Sequence, residues 1–350
     1  MTADPELPVP PPLYGGIERV VAQLVDGLVG RGHGVTLFAH QDSRTRATLV
    51  PYPDVRSRSR TATARHAVII AREYARRRPD VIHSFGRLAY LTPLLGLPVA
   101  KLMSYQRAVT RARVVWAHRL ARGSLTFTGC SRHLIEPVCD VGSWHVLYNS
   151  VPIDRYRFEP AVPHDAPLLF LGRVERIKGP HVAIHVARQA GRRLVLAGNV
   201  PDDHRVYFET EISPFIDGRS VTYAGPVDDE AKSRLLSGAA ALLMPIQWDE
   251  PFGIVMAEAL ACGTPVIGLA RGAVPEVVDD EVTGFVCGTA DAMVQRVSRI
   301  AEIDRQACRR AAERRFSSQA LVDACEGLYG RALGLAARSN PLGPAIAAGR

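Results

Sequence analysis

The sequence lacks features that mark several other protein classes. No apolar run is long enough to cross a bilayer, and nothing resembles a signal peptide. The six cysteines form no C-x-x-C pair and no disulfide-framework spacing. No D-x-D motif occurs either, so we predict no paired-aspartate metal site. These absences together predict reduced thiols, no zinc site and a cytoplasmic protein.

Lysine is also scarce, whereas the apolar content is ordinary. The chain of 350 residues is 47% hydrophobic, which is enough for two domains with buried cores. Only three of its 43 basic residues are lysines, namely Lys101, Lys178 and Lys232. A lysine kept at position 178 of an arginine-rich chain suggests that a compact point charge, rather than a planar fork, is needed there.

Short apolar strands alternate with helical patterns along the chain. An amphipathic pattern predicts a helix over 17–31. Alternating β and α segments favour parallel sheets with helices on both faces, so we predict an α/β protein with two doubly wound domains. The expected strands are 35–39, 81–82, 99–102, 125–127 and 145–147, followed by 167–171, 193–197, 221–223, 241–244, 265–268 and 285–286.

Two glutamates eight positions apart surround a predicted helix start. Pro251 can open a helix, so the backbone amides of Phe252, Gly253 and Ile254 would point out of its N-terminus. Glu250 would then lie in the loop before the helix, and Glu258 on its second turn. Carboxylates accept hydrogen bonds from sugar hydroxyls, and a helix N-terminus favours anions. A nucleotide sugar carries both groups.

This block resembles the E-x7-E signature of retaining GT-B glycosyltransferases of family 4. Segment 171–179, LGRVERIKG, resembles the family's phosphate segment, and segment 14–18, YGGIE, resembles its N-terminal glycine loop. Segments 196–199, 221–225 and 282–285 follow in the expected order, so the resemblance covers nearly the whole chain.

The resemblance implies a particular domain organisation. Two Rossmann-like domains would face a cleft. Residues 1–152 would form an acceptor-side domain completed by a crossing helix over 317–337. Residues 153–316 would bind the nucleotide sugar, and 338–350 would form a loose tail.

The resemblance also implies a retaining, metal-independent transfer of sugar from a nucleoside diphosphate sugar to a hydroxyl acceptor, without a further cofactor. Arg173 and Lys178 would hold the diphosphate and neutralise it as the bond to the sugar breaks. Glu250 would accept hydrogen bonds from the transferred sugar and Glu258 from the ribose. The amides of Phe252, Gly253 and Ile254 would support the sugar, and those of Gly15 and Gly16 would approach the phosphate.

One histidine departs from the family pattern. Family members often carry H-x-H where this chain has His83-Ser84-Phe85, with a histidine that faces the donor sugar. We therefore keep a catalytic and a structural role open for His83. Arg107 and His118 are further candidates with little support, and we interpret Glu276 as structural.

The start of the chain is a second departure. A buried strand is expected before the glycine loop, yet five prolines lie among the first twelve residues, and proline donates no ladder hydrogen bond. We expect the natural start to lie upstream, by roughly 10 to 20 residues that carry this strand. Otherwise another segment must fill the gap.

The acceptor and the basic stretch leave alternatives open. Residues 101–133 contain seven Lys or Arg and no acid. We interpret this stretch as a solvated helix face, with a phosphorylated acceptor or peripheral contact with an anionic membrane as alternatives. Nucleic acid is not expected, because the stretch belongs to no known nucleic-acid-binding motif. A small-molecule or lipid-linked acceptor is favoured over a protein.

Other functions remain as alternatives to the transferase. A protein that binds nucleotide sugars without turnover is the leading one, and a nucleotide-sugar epimerase or a phosphorylase of the same fold follows. A glycosidase is disfavoured, because both glutamates lie in a nucleotide-binding motif.

Overall fold

The computed structural model describes residues 1–12, 15–57 and 59–338. These residues form two compact units. The N-terminal unit contains Met1–Tyr148 and the helix residues from Leu321 onward, and the C-terminal unit is Asn149–Ala320. The borders predicted from the sequence were 152/153 and 316/317. Arg338 ends the last helix, and the rest of the predicted tail, 339–350, lies outside the described residues.

The N-terminal unit is built on a parallel sheet. Its strands are β1 (Thr36–Ala39), β2 (Thr48–Pro51), β3 (Val81–Ser84), β4 (Ala100–Tyr105), β5 (Leu125–Gly129) and β6 (Ser143–Val146). Its helices are α1 (Gly16–Gly30), α2 (Arg60–Arg77), α3 (Arg111–Ala121) and α4 (Arg132–Ile135). Strand β2 was not predicted from the sequence. Its side chains are exposed or half-buried, so it lacks the continuous apolar run of a central strand.

The first three residues fill the gap between β1 and β3. Thr2 forms parallel bridges to both Phe38 and Ser84. The amide of Thr2 donates to the His83 carbonyl oxygen over 2.9 Å, and the amide of Ala3 donates to that of Phe38 over 2.9 Å. The expectation that the first twelve residues cannot pair inside the sheet is therefore wrong for residues 1–3. They precede the first proline and keep their N–H donors.

Lys101 lies inside the N-terminal unit. Its side chain is fully buried, and its Nζ donates to the carbonyl oxygens of Leu97 at 2.6 Å and Val99 at 2.8 Å. Burial lowers the pKa of this ammonium to about 8. Lys101 therefore does not contribute to a basic surface, which corrects one end of the predicted basic segment.

The C-terminal unit contains a six-stranded parallel sheet within residues 149–320, all of which the structure describes. The strands are β7 (Leu168–Leu171), β8 (Leu194–Ala197), β9 (Val221–Tyr223), β10 (Ala241–Met244), β11 (Val266–Leu269) and β12 (Gly284–Cys287), and they lie in the order β12-β11-β10-β7-β8-β9. Strand order reverses beside β7, so the loops after β7 and β10 meet where ligands bind in open α/β sheets.

Helices cover this second sheet and complete the chain. They are α5 (Pro180–Gln189), α6 (Arg205–Tyr207), α7 (Asp229–Gly238), α8 (Ile254–Ala261), α9 (Val274–Val277), α10 (Ala290–Val297) and α11 (Arg305–Phe316). Helix α12 (Ser318–Arg338) continues into the N-terminal unit, where Val322 fits against Gly27 of α1 so closely that a Cβ at Gly27 would lie 2.3 Å from Val322 Cγ2. None of the helices in the described residues is long and apolar enough to span a membrane.

Candidate active site

Three loops of the C-terminal unit meet at the carboxyl ends of β7, β10 and β11. The amide of Gln247, after β10, donates to the Ile177 carbonyl oxygen after β7 over 2.7 Å. The amide of Ala273, after β11, donates to the Glu250 carbonyl oxygen over 2.8 Å. Segments that are distant in sequence are thus fixed side by side by backbone hydrogen bonds.

Two glycines permit this close approach. Gly179 has a φ of +76°, and a Cβ there would lie 2.0 Å from the Pro245 carbonyl oxygen. Gly272 has a φ of +56°, and its Cβ would lie 2.3 Å from the backbone nitrogen of Glu250. Any other residue at either position would push the loops apart.

Glu250 is held from two sides. Its Oε2 lies 2.5 Å from Lys178 Nζ and accepts a hydrogen bond from Trp248 Nε1 over 3.0 Å. The Lys178 ammonium also lies over the Trp248 ring, 4.8 Å from its centroid. Glu250 is only 8% exposed, so its charge is stabilised mainly by these two donors. The sequence motifs predicted Glu250 and Lys178 as site residues but not Trp248.

The helix after Glu250 starts later than predicted. Gly253 is the N-cap of α8, with a φ of +75°, and the first helical residue is Ile254. Pro251 therefore lies in the preceding bend and does not open the helix, because the left-handed turn at Gly253 separates the two. The same turn directs the Phe252 ring into the core, where its centroid is 5.6 Å from that of Phe316. The prediction that Glu258 lies on the second turn is confirmed.

Glu258 has its own set of partners. Its Oε1 accepts hydrogen bonds from the Tyr156 hydroxyl over 2.6 Å and from Lys232 Nζ over 2.7 Å. Lys232 lies on α7 and also pairs with Asp229 at 3.2 Å. Burial, together with the adjacent Glu258 carboxylate, raises the pKa of Tyr156 far above its usual value, so this hydroxyl stays a donor.

Arg173 is oriented by a buried acid. Its Nη1 lies 2.8 Å from Oε1 of Glu175, whose side chain is only 6% exposed. Arg173 itself is partly exposed, at 37% of its side chain. A guanidinium fixed in this way at the end of β7 keeps part of its donor fork toward solvent.

The scarcity of lysine in this chain marks the site more fully than the motifs do. Lys178 and Lys232 each pair with one of the two glutamates of the E-x7-E block, and Lys101 is buried elsewhere. No motif surrounds Lys232, so the motifs did not predict it as a site residue. Its rarity alone would have singled it out.

The N-terminal unit brings polar groups to the glycine loop. Gly15 caps α1 with a φ of +149°, and a Cβ there would lie 2.9 Å from Glu18 Oε2. Gly16 is the first helical residue, and Tyr14 lies outside the described residues. Burial raises the pKa of both Glu18 and Asp4, and Arg107 opposes this shift at Asp4.

His83 is sealed inside the N-terminal unit. It is 1% exposed; its Nδ1 lies 2.8 Å from the Tyr329 hydroxyl, and its Nε2 lies 2.6 Å from Ser104 Oγ. Burial lowers the pKa of His83 to about 3. Both ring nitrogens thus have partners within the protein, which favours the structural role. A catalytic role stays a prediction.

Two further residues named in the sequence analysis lie elsewhere. His118 lies half-buried on α3, and Glu276 lies in α9, where its backbone carbonyl oxygen accepts a hydrogen bond from Arg315.

Two units, each built on a parallel sheet with helices packed against it, form a GT-B fold. The group 1 glycosyl transferases match residues 153–315, and glycosyltransferase family 4 matches residues 14–155. The chain belongs to these group 1, family 4 glycosyltransferases.

Relatives of known name agree with this class. A putative glycosyltransferase, YtcC, of Bacillus subtilis is 36% identical over 142 residues, which are 37% of this chain and 34% of that protein. The match therefore spans only about a third of that relative. A Mycobacterium tuberculosis glycogen synthase is 25% identical over 337 residues, and the match covers 81% of each chain. The crystal structure of AviGT4, a glycosyltransferase involved in avilamycin A biosynthesis, is 29% identical, with 95% of this chain and 94% of that one covered and a TM-score of 0.68.

Removal of the Lys232 ammonium tests the set of partners around Glu258. We expect Lys232→Met to raise the KM for the sugar donor about tenfold with little change in kcat, because one charge-assisted bond that orients Glu258 is lost. Asp229→Asn is the matched control, since it removes the other partner of Lys232 and leaves Glu258 untouched. Steady-state kinetics with an unchanged donor KM in Lys232→Met would contradict this role.

The buried His83 predicts a dependence of stability on pH. Unfolded histidine binds a proton near pH 6.5, whereas folded His83 stays neutral down to about pH 3. The unfolded state therefore gains protons first, and stability falls as the pH drops below 6.5. Between pH 7 and pH 5 the wild type should lose about 2 kcal/mol more than His83→Asn in chemical denaturation. Equal losses in both proteins would contradict a neutral buried His83, and exposed His185→Asn provides the control.

Proposed function

We propose that this glycosyltransferase moves a sugar from a nucleoside diphosphate sugar to a hydroxyl acceptor, with retention of anomeric configuration and without a metal ion. Two lysine–glutamate ion pairs of the C-terminal unit carry the proposal: Lys178–Glu250 joins the segments after β7 and β10, and Lys232–Glu258 joins α7 to α8. We assign the donor to this unit and acceptor recognition to the N-terminal unit. The acceptor is a small molecule or is linked to a lipid.

Glu258 would bind the ribose of the donor. Both of its protein hydrogen bonds end on Oε1. A ribose hydroxyl would then donate to Oε2 of a carboxylate that is already fixed in place. Because the Glu258 carboxylate is held in place before the donor arrives, less entropy is lost on binding.

Glu250 and the helix amides would bind the transferred sugar. Glu250 would accept a hydrogen bond from a sugar hydroxyl. The backbone amides of Gly253, at the turn, and of Ile254, the first residue of α8, would donate to sugar or phosphate oxygens. The amide of Phe252 lies next to this turn and would take part, although its ring is in the core.

Lys178 and Arg173 would stabilise the leaving diphosphate. As the bond between the anomeric carbon and the phosphate oxygen breaks, both bonding electrons stay on that oxygen, and its negative charge grows. The Lys178 ammonium would shift from Glu250 toward this charge. The exposed part of the Arg173 guanidinium would donate hydrogen bonds to the diphosphate. In a front-face attack the departing oxygen takes the proton of the acceptor hydroxyl while that hydroxyl bonds to the same face of the sugar.

The second candidate is a protein that binds nucleotide sugars without turnover. Phe85 stands where the family often has a histidine, and its ring centroid lies 4.4 Å from that of His83 with the planes tilted by 34°, so the donor would not meet a histidine there. An epimerase of this fold is a weaker alternative. A glycosidase fits poorly, because both glutamates are ion-paired acceptors and it needs a carboxyl that donates a proton.

A screen against a panel of nucleoside diphosphate sugars tests the proposal. Thermal shift would report binding, and mass spectrometry would report released nucleoside diphosphate. We expect one donor to stabilise the protein and to be consumed, slowly by hydrolysis and faster with an acceptor. Glu258→Ala should raise the donor KM about tenfold, whereas Lys178→Ala should lower kcat about 100-fold, since its charge pairing strengthens in the transition state.

Arg176→Ala is the matched control for Lys178→Ala. Arg176 lies on the same segment but pairs with Glu211, and it is half-exposed. Stabilisation by a donor without release in the presence of any acceptor would favour the binding protein. Equal kcat in Lys178→Ala and the wild type would remove Lys178 from the chemistry.

A further inference from the structure

Helix α3 carries two apolar faces, and the fold uses only one of them. Val114, Ala117 and Ala121 are buried against the sheet of the N-terminal unit. On the opposite side, a second row is formed by Ala112, Trp116 and Leu120, which are spaced four residues apart and therefore lie one above the other. Trp116 is 45% exposed and Leu120 is 42% exposed. A surface helix needs one apolar stripe for its own packing, so the outer row requires another explanation.

Arginines border the outer row on both sides. Arg113 lies three residues before Trp116, and Arg119 lies three residues after it, so they flank the row. Both are exposed, and so is Arg122 just beyond the helix. No acidic residue lies within α3. Asp140, outside the helix, pairs with one of its arginines: Oδ2 of Asp140 accepts a hydrogen bond from Arg111 Nη2 over 2.6 Å. The outer face of α3 is thus apolar along its centre and cationic along its edges.

We propose that this outer face docks on an anionic lipid surface. Trp116 and Leu120 would enter the headgroup region, and Arg113, Arg119 and Arg122 would meet lipid phosphates. Helices that lie in a membrane interface combine these features, with tryptophan and leucine in the apolar row and arginines beside it. Arginine also extends its aliphatic stem over apolar surface while its charge stays in the polar layer.

The charge pattern selects lipid over other occupants. A second copy of this chain, docked through the same face, would place arginine opposite arginine without acids to compensate. A nucleic acid would pair with the arginines, but the row of alanine, tryptophan and leucine would face phosphates and gain nothing. An anionic bilayer surface offers phosphates and apolar chains together. The proposal does not depend on the identity of the sugar donor.

Vesicle flotation of the full chain tests the proposal. The wild type would be mixed with vesicles of phosphatidylcholine alone or of phosphatidylcholine with phosphatidylglycerol in equal parts. We expect binding to the anionic vesicles only, with loss at high salt because the arginine contacts are screened. Arg113→Gln with Arg119→Gln should weaken binding about fivefold per arginine. Trp116→Ala should weaken it about tenfold even at low salt.

Helix α2 offers matched control variants in the same unit. Arg65→Gln with Arg72→Gln removes two exposed arginines, and Val68→Ala trims an apolar side chain that is 64% exposed. These variants should bind the anionic vesicles like the wild type. All substitutions are at exposed positions, and circular dichroism melts would check that each variant folds.

Several outcomes would overturn the proposal. Equal binding to neutral and anionic vesicles, absence of binding to both, or equal weakening by the α2 controls would each do so. Sedimentation velocity without lipid would reveal a second copy as the occupant if the wild type is a dimer and Trp116→Ala is a monomer. Duplex DNA could also compete with the anionic vesicles for the protein. If the Trp116→Ala variant still binds the DNA as the wild type does, the arginines would be assigned to nucleic acid instead.

Discussion

Two nearly buried glutamates, Glu250 and Glu258, each keep a lysine ammonium within hydrogen-bond distance, and the rest of the site depends on these two pairs. Each glutamate is 8% exposed. A carboxylate so far removed from water is costly unless a cation and further donors compensate it. Lys178 and Trp248 do this for Glu250, and Lys232 and Tyr156 do it for Glu258. The carboxylate oxygens to which we assign ligand binding are therefore oriented by the protein itself.

The fold supplies these partners from distant parts of the chain. Lys178 follows β7, Glu250 follows β10, and the glycine that supports the Glu250 backbone follows β11. These strands are neighbours in the sheet, so the loops at their carboxyl ends converge. The glycines at 179 and 272 are thus explained by the close backbone packing of these loops.

Much of this arrangement could be predicted from the sequence. Period-two and period-3.6 patterns indicated the two α/β units, and the ordered motifs indicated the GT-B family. Contacts made by residues outside the motifs could not be predicted. Tyr156 and Trp248 are defined only by where the chain places them, whereas the rarity of lysine was a usable sign for Lys232. The start of α8 was misplaced because Pro251 can open a helix, whereas the left-handed Gly253 delays it. Thr2 pairs with both β1 and β3 because it precedes the first proline. The proline count of the first twelve residues did not reveal this, since it ignores where the prolines begin.

A crystal structure of the full chain with a bound nucleoside diphosphate would test the central claim most directly. We expect the ribose hydroxyls on Glu258 while Tyr156 and Lys232 keep their bonds to it. We also expect the Lys178 ammonium to have moved from Glu250 toward the diphosphate, with Trp248 still donating to Glu250. A diphosphate bound elsewhere, with Lys178 still paired to Glu250 and no ribose contact at Glu258, would contradict the account.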